Sequence, residues 1–98
     1  MYKLQITIEN RYIIMCLLNA IIDKNFIFNP PYYRIGAIVA DGIGYINIYF
    51  DYKLKKQKFK DYTRFIKSLV PITLRVKLYK FHLIYDDLQN EFLIDETE

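Results

Sequence analysis

Six segments in the order strand, helix, strand, strand, helix, strand predict a single α+β domain built on an antiparallel sheet. Three observations carry that prediction. Residues 2–9 and 43–51 alternate apolar with polar side chains, residues 53–69 repeat apolar positions at helical spacing, and an Asp41-Gly42 pair stands between two strand-like runs.

The N-terminal segment places Leu4, Ile6 and Ile8 on one face and Lys3, Gln5, Thr7 and Glu9 on the other, the pattern of a half-buried strand. Asn10 is a good helix N-cap, because its side chain can accept from backbone amides that have no helical partner. A helix is therefore predicted from Arg11 to about Asn25. Its apolar residues, Tyr12 to Leu18 with Ile21 and Ile22, nearly encircle the axis. Such a helix is either covered on both sides or touches another subunit. Cys16 within it is expected to be buried, as a small hydrophobe with a suppressed thiolate.

Asn29-Pro30-Pro31 imposes an extended connection. Residues 33–40 form the second predicted strand, in which Gly36 suggests a bulge or a close backbone approach. Asp41-Gly42 is a strong hairpin signal, since a type I′ turn needs positive φ at both central residues. Beyond it Gly44, Ile46, Ile48 and Phe50 face inward, with Tyr45, Asn47, Tyr49 and Asp51 outward.

A helix follows from Lys53 to Leu69. Phe59, Tyr62, Phe65, Ile66 and Leu69 form its inward stripe, while Lys53, Lys56, Lys60, Arg64 and Lys67 line the opposite face. Pro71 ends it. Residues 72–78 alternate again, with Thr73, Arg75 and Lys77 outward, and the phase slips beyond Lys80 as at a bulge or bend. A turn over 86–90, a short fifth strand over 91–94 and loose final residues complete the expectation.

This order is that of the ferredoxin-like split βαβ fold. The expected sheet order is 4-1-3-2, with both helices on one face and a short C-terminal extra strand or tail. The other face would display Lys3, Gln5, Thr7, Tyr45, Asn47, Tyr49, Thr73, Arg75 and Lys77. All 98 residues form one domain, with residues 86–98 as an acidic C-terminal extension.

Ten tyrosines, seven phenylalanines and no tryptophan give an unusually aromatic chain. Ile, Lys, Asn, Tyr and Phe, read from AT-rich codons, far outnumber Gly, Ala, Pro and Arg. An AT-rich source such as a virus or mobile element is expected. The net charge of +3 hides an uneven layout. Residues 53–67 carry seven cations against Asp61, and residues 86–98 carry six carboxylates without a cation. One cysteine excludes an intramolecular disulfide, and no secretory or membrane-spanning pattern is present. An intracellular, cytoplasmic location follows, the host cytoplasm if the chain is viral.

Catalysis is hard to assemble. With one His, one Cys and one Ser, no hydrolytic triad can be drawn from residue types. His82 with Asp86 and Asp87 lacks the further His or Cys that would complete a metal site. Glu9 reads as an acid favouring the following helix N-terminus rather than as a catalytic carboxylate. No phosphate-binding loop is present, because Gly42-Ile43-Gly44 belongs to a hairpin. The chain is expected to be no enzyme, with no catalytic residues, metal or cofactor.

Binding is easier to argue. Gly42-Ile43-Gly44-Tyr45-Ile46-Asn47-Ile48 is similar to the third-strand signature of RNA-recognition motifs, with Gly42, Gly44, Tyr45 and Ile46 matching. Asp41, Ile43 and Ile48 depart from that signature, and Thr7 stands where the first strand would supply a ring. The resemblance covers two strands and implies single-stranded nucleic-acid binding by stacking. Two functions are therefore carried forward. The first is a small protein-binding module acting on a host or viral protein complex, such as an anti-CRISPR-like inhibitor of host defence. The alternative is a non-specific single-stranded RNA or DNA binder using Tyr45, Asn47 and Tyr49 with Lys3, Arg75, Lys77 and the basic helix. A homodimer is compatible with both, and no membrane partner is expected.

Overall fold

The computed structural model describes residues 2–8, 11–69, 78–87 and 90–97, with side chains over 2–8 and 13–69. Its elements are β1 (Tyr2–Ile8), α1 (Arg11–Asp23), a 3-10 turn (Asn25–Ile27), β2 (Arg34–Ala40), β3 (Ile43–Phe50), α2 (Lys56–Leu69), β4 (Leu78–Asp87) and β5 (Asn90–Thr97).

The molecule is α+β. An antiparallel sheet of β2, β3 and β1 carries two helices, with Leu4 of β1 opposite Ile48 and Ile6 opposite Ile46. Beyond β1 the backbone of β4 runs antiparallel to it and β5 antiparallel to β4, giving the order β2-β3-β1-β4-β5. The β1–β4 register shifts between Thr7 and Ile8, which pair with Lys80 and Leu78. That is the neighbourhood where the sequence loses its alternating phase.

Alternation decides what is buried. Leu4, Ile6 and Ile8 from β1 meet Ile46, Ile48 and Phe50 from β3, and the helices close over them with Ile13, Ile14, Leu17, Ile21, Phe59, Tyr62 and Ile66. Each large apolar side chain so buried contributes roughly 1.5–3 kcal/mol relative to exposure. One end of this core is aromatic. The Phe28 ring lies 4.8 Å from Tyr62 and 5.3 Å from Tyr32, and Phe50 stacks on Tyr62 at 5.9 Å. Asn29 ties the same corner to α2, its amide donating to the Tyr62 hydroxyl at 3.1 Å.

The turn behaves as its sequence dictates. Asp41 and Gly42 take φ of 53° and 77°, and Ala40 pairs with Ile43 across them.

Several expectations are corrected. Cys16 is exposed rather than buried. The sheet takes only one side of α1, so Ile13, Ile14, Leu17 and Ile21 are covered while Met15, Cys16 and Ile22 face out. Gly36 is no bulge. β2 pairs with β3 without interruption, and a Cβ at Gly36 would meet nothing within 4 Å. The close approach occurs at Gly44, where a Cβ would fall 1.6 Å from Ile14 Cδ1. Helix α2 starts at Lys56, not Lys53, because Leu54 is drawn into the core and Phe59 N–H makes its helical bond to Lys55 O at 2.9 Å. The chain between α1 and the prolines forms the 3-10 turn, whose Phe28 flank fills the aromatic corner. The expected strand over 72–77, the Asn10 cap and Glu9 lie outside the described residues.

Candidate binding surfaces

Two surfaces emerge, one polar and aromatic, the other apolar. The first is the sheet face away from the helices. A two-residue turn fixes the register of β2 on β3, so Arg34 stands opposite Tyr49, and Lys3 stands opposite Tyr49 on the other side. The Arg34 guanidinium lies over the Tyr49 ring, 4.3 Å from its centroid. One row therefore holds two cations flanking an aromatic ring. The next row holds Gly36, Asn47 and Gln5, and the third holds Ile38, Tyr45 and Thr7.

Tyr45, Tyr49 and Lys3 are half-buried. Asn47 is only 5 % exposed, and its Oδ1 accepts from Gln5 Nε2 at 2.9 Å. It braces β1 to β3 more than it offers a contact. Thr7 beside it is equally buried. Arg75 and Lys77 lie outside the described residues. Arg34 had no place in the sequence-derived site, although the Asp41-Gly42 turn implies its pairing with Tyr49.

The basic stripe belongs elsewhere. Lys56, Lys60 and Arg64 are exposed on α2, with Lys67 half-buried on the same helix and Lys53 exposed just before it. Phe59, Tyr62 and Ile66 turn inward, so the cations point away from the sheet. The tyrosine face and the basic helix are opposite sides of the molecule. A strand of nucleic acid lying on one is not in reach of the other without wrapping an edge.

The second surface comes from residues 15–39. Among the described residues, the exposed large hydrophobics are Met15, Ile22, Phe26, Ile27, Tyr33, Ile38 and Val39. Met15 and Ile22 lie on α1, Phe26 and Ile27 on the 3-10 turn and Tyr33 just before β2, while on β2 itself Val39 takes the helix face and Ile38 the open face. These elements are joined, since α1 packs against β2 as well as β3. Phe26 is 76 % exposed, Ile38 57 % and Val39 54 %. Asn25, Phe26, Phe28, Asn29, Pro31 and Tyr32 line a recess of about 310 Å³ on this flank. Single apolar side chains on a surface need no explanation, but several on neighbouring elements make this flank a candidate contact site.

Titration adds one feature. The Tyr52 phenol, which donates to Pro30 O at 2.7 Å, is held above its usual value first by burial, then by the Tyr62 hydroxyl and by the Asp51 carboxylate. Its ring meets Phe50 edge-on at 5.4 Å, so the bond to Pro30 ties the proline segment to the aromatic corner. Among the described residues no cluster of three His, Cys, Asp or Glu side chains could hold a metal, and no helix is long and apolar enough to cross a membrane.

Comparison with protein-family models, with characterised proteins and with solved structures finds no match.

Proposed function

We propose that this chain is a non-enzymatic protein-binding module that contacts its partner through the α1–β2 flank. The observation that supports it is that, among the described residues, all seven exposed large hydrophobics fall within residues 15–39. Covering Phe26 or Ile38 removes apolar area from water, at roughly 25 cal/mol per Å². Aromatic and aliphatic anchors of this kind concentrate at the centres of protein interfaces. Inhibition of a host complex, as an anti-CRISPR-like protein would do, falls within this reading, because occupying a surface needs no chemistry. The fold we propose for the module is the ferredoxin-like split βαβ; the strand order and the placement of both helices on one face support it.

The test is capture from nuclease-treated host lysate with two baits. Wild type is expected to retain a protein that Phe26→Glu combined with Ile22→Lys releases. Equal retention by both baits would remove the flank from the function.

The nucleic-acid alternative is favoured by one observation, the Arg34–Tyr49–Lys3 row. Bases stacked there would contribute roughly 1–3 kcal/mol each, and phosphate contacts would make affinity fall steeply with salt. The position of the α2 stripe on the other side weakens it. Titrating labelled single-stranded RNA and DNA at two salt concentrations decides the matter, since a lack of binding at low salt eliminates the alternative.

A further inference from the structure

We propose that two copies of this chain pair antiparallel along β2, joining their sheets across a twofold axis at Ala37. This rests on the protein-binding reading of the α1–β2 flank and names one occupant of it, a second copy. Among the described residues β2 is an edge strand, paired with β3 on one side only. An edge presents a row of backbone donors and acceptors that another strand can satisfy, and stable monomers guard it with charge, proline or a bulge. From Ile35 to Ala40 this edge has none of these: the residues are Ile, Gly, Ala, Ile, Val and Ala, in unbroken register with β3.

The sequence of the strand favours itself as partner. Arg34 opens it and Asp41 follows it. Antiparallel self-pairing sets the Arg34 end of each strand against the Asp41 end of the other, with Arg34 opposite Ala40 and one residue short of Asp41, whereas parallel pairing would set like charges together. A twofold axis normal to the sheet keeps the open face of each copy on the same side, so residues of like parity must oppose one another. Centring the axis on Ala37, the middle of Arg34–Ala40, pairs all seven residues of the strand. Ile35 then meets Val39 on the helix face. On the open face Ile38 meets Gly36, where a side chain has free space, as nothing lies within 4 Å of a Cβ built there. Ile38 and Val39, both more than half exposed, are thereby covered.

The register can be read directly. In a Cys16→Ser background, Ala37→Cys places two thiols opposite each other on the axis, at the 4.4–6.8 Å Cα separation a disulfide spans. Mild oxidation is expected to give a covalent dimer from Ala37→Cys and none from Arg34→Cys, whose mate lies at the far end of the paired strands. Light scattering of the full wild-type chain should give twice the 11.9 kDa protomer mass, and Ile38→Lys, at a position already exposed, should return it to one protomer while leaving the circular dichroism unchanged. A wild-type mass of one protomer at high micromolar concentration, or a dimer that Ile38→Lys leaves intact and Ala37→Cys does not cross-link, overturns the proposal. A monomer whose lysate partner is still lost with Phe26→Glu and Ile22→Lys would refute the dimer alone. A dimer whose capture is unaffected by those changes would refute the partner-binding reading alone.

Discussion

Gly44→Ala tests the packing account at its tightest point. Gly44 sits on the core face of β3 beneath α1, and the added Cβ would fall 1.6 Å from Ile14 Cδ1 and 2.4 Å from Cγ1. Ile14 is 1 % exposed, so its side chain has no solvent to swing into. Overpacking a filled core costs roughly 1–3 kcal/mol. The loss of glycine's freedom in the unfolded chain offsets about 0.4–1 kcal/mol of that. At the middle of these ranges a net destabilisation of about 1.3 kcal/mol remains, a fall in melting temperature of roughly 5–10 °C for a domain of this size. Denaturant unfolding of four proteins measures it: wild type, Gly44→Ala, Ile14→Val and the double variant. Ile14→Val alone should cost roughly 0.5–1.5 kcal/mol. In the Gly44→Ala background it should cost less, because it removes the nearest clashing atom. A Gly44→Ala protein as stable as wild type, or an Ile14→Val cost equal in both backgrounds, would show that Ile14 and a residue-44 Cβ do not clash.

Phe28 is 2 % exposed amid the rings of Tyr32, Phe50, Tyr62 and Phe65, so Phe28→Ala should lose roughly 3–5 kcal/mol by equilibrium unfolding. Gly42→Ala forces a side chain into φ 77° at the hairpin, at a cost of roughly 1–2 kcal/mol; an unchanged midpoint would show that the turn relaxes. Tyr52→Phe removes the bond to Pro30 O, worth roughly 0.5–1.5 kcal/mol at neutral pH. Because folding raises the Tyr52 value, its contribution is full below the ordinary tyrosine range and is lost as pH climbs past it. The stability gap between wild type and Tyr52→Phe should therefore narrow above about pH 10. Parallel stability curves would exclude that linkage.

What the sequence made legible follows from periodicity and turn chemistry. The alternation of Leu4-Ile6-Ile8 and Ile46-Ile48-Phe50 identified the core faces, because a period of two leaves a strand one way to bury them. Asp41-Gly42 identified the turn, and its two-residue length also implies that Arg34 pairs with Tyr49. That consequence needed only counting. Composition could not say which side of α1 the sheet covers, since apolar residues surround the helix; Cys16 and Met15 face out because Ile14 and Leu17 face in. Nor could local pattern tell Gly36 from Gly44, as a glycine's reason lies in what crosses above it, and only α1 crossing β3 supplies that. The separation of the basic helix from the tyrosine face, by contrast, is implied by the expected fold itself, which sets both helices on one face of the sheet and the tyrosines on the other.

The flank itself is best tested by site-specific photocrosslinking in cells. A photoreactive side chain at Phe26 or Ile22, both exposed on the α1 flank, is compared with one at Tyr45 on the sheet face and one at Lys60 on α2. Protein adducts are expected from Phe26 and Ile22 and none from Lys60. Adducts confined to Lys60, or nucleic-acid adducts from Tyr45 with none at Phe26, would contradict a contact through the flank.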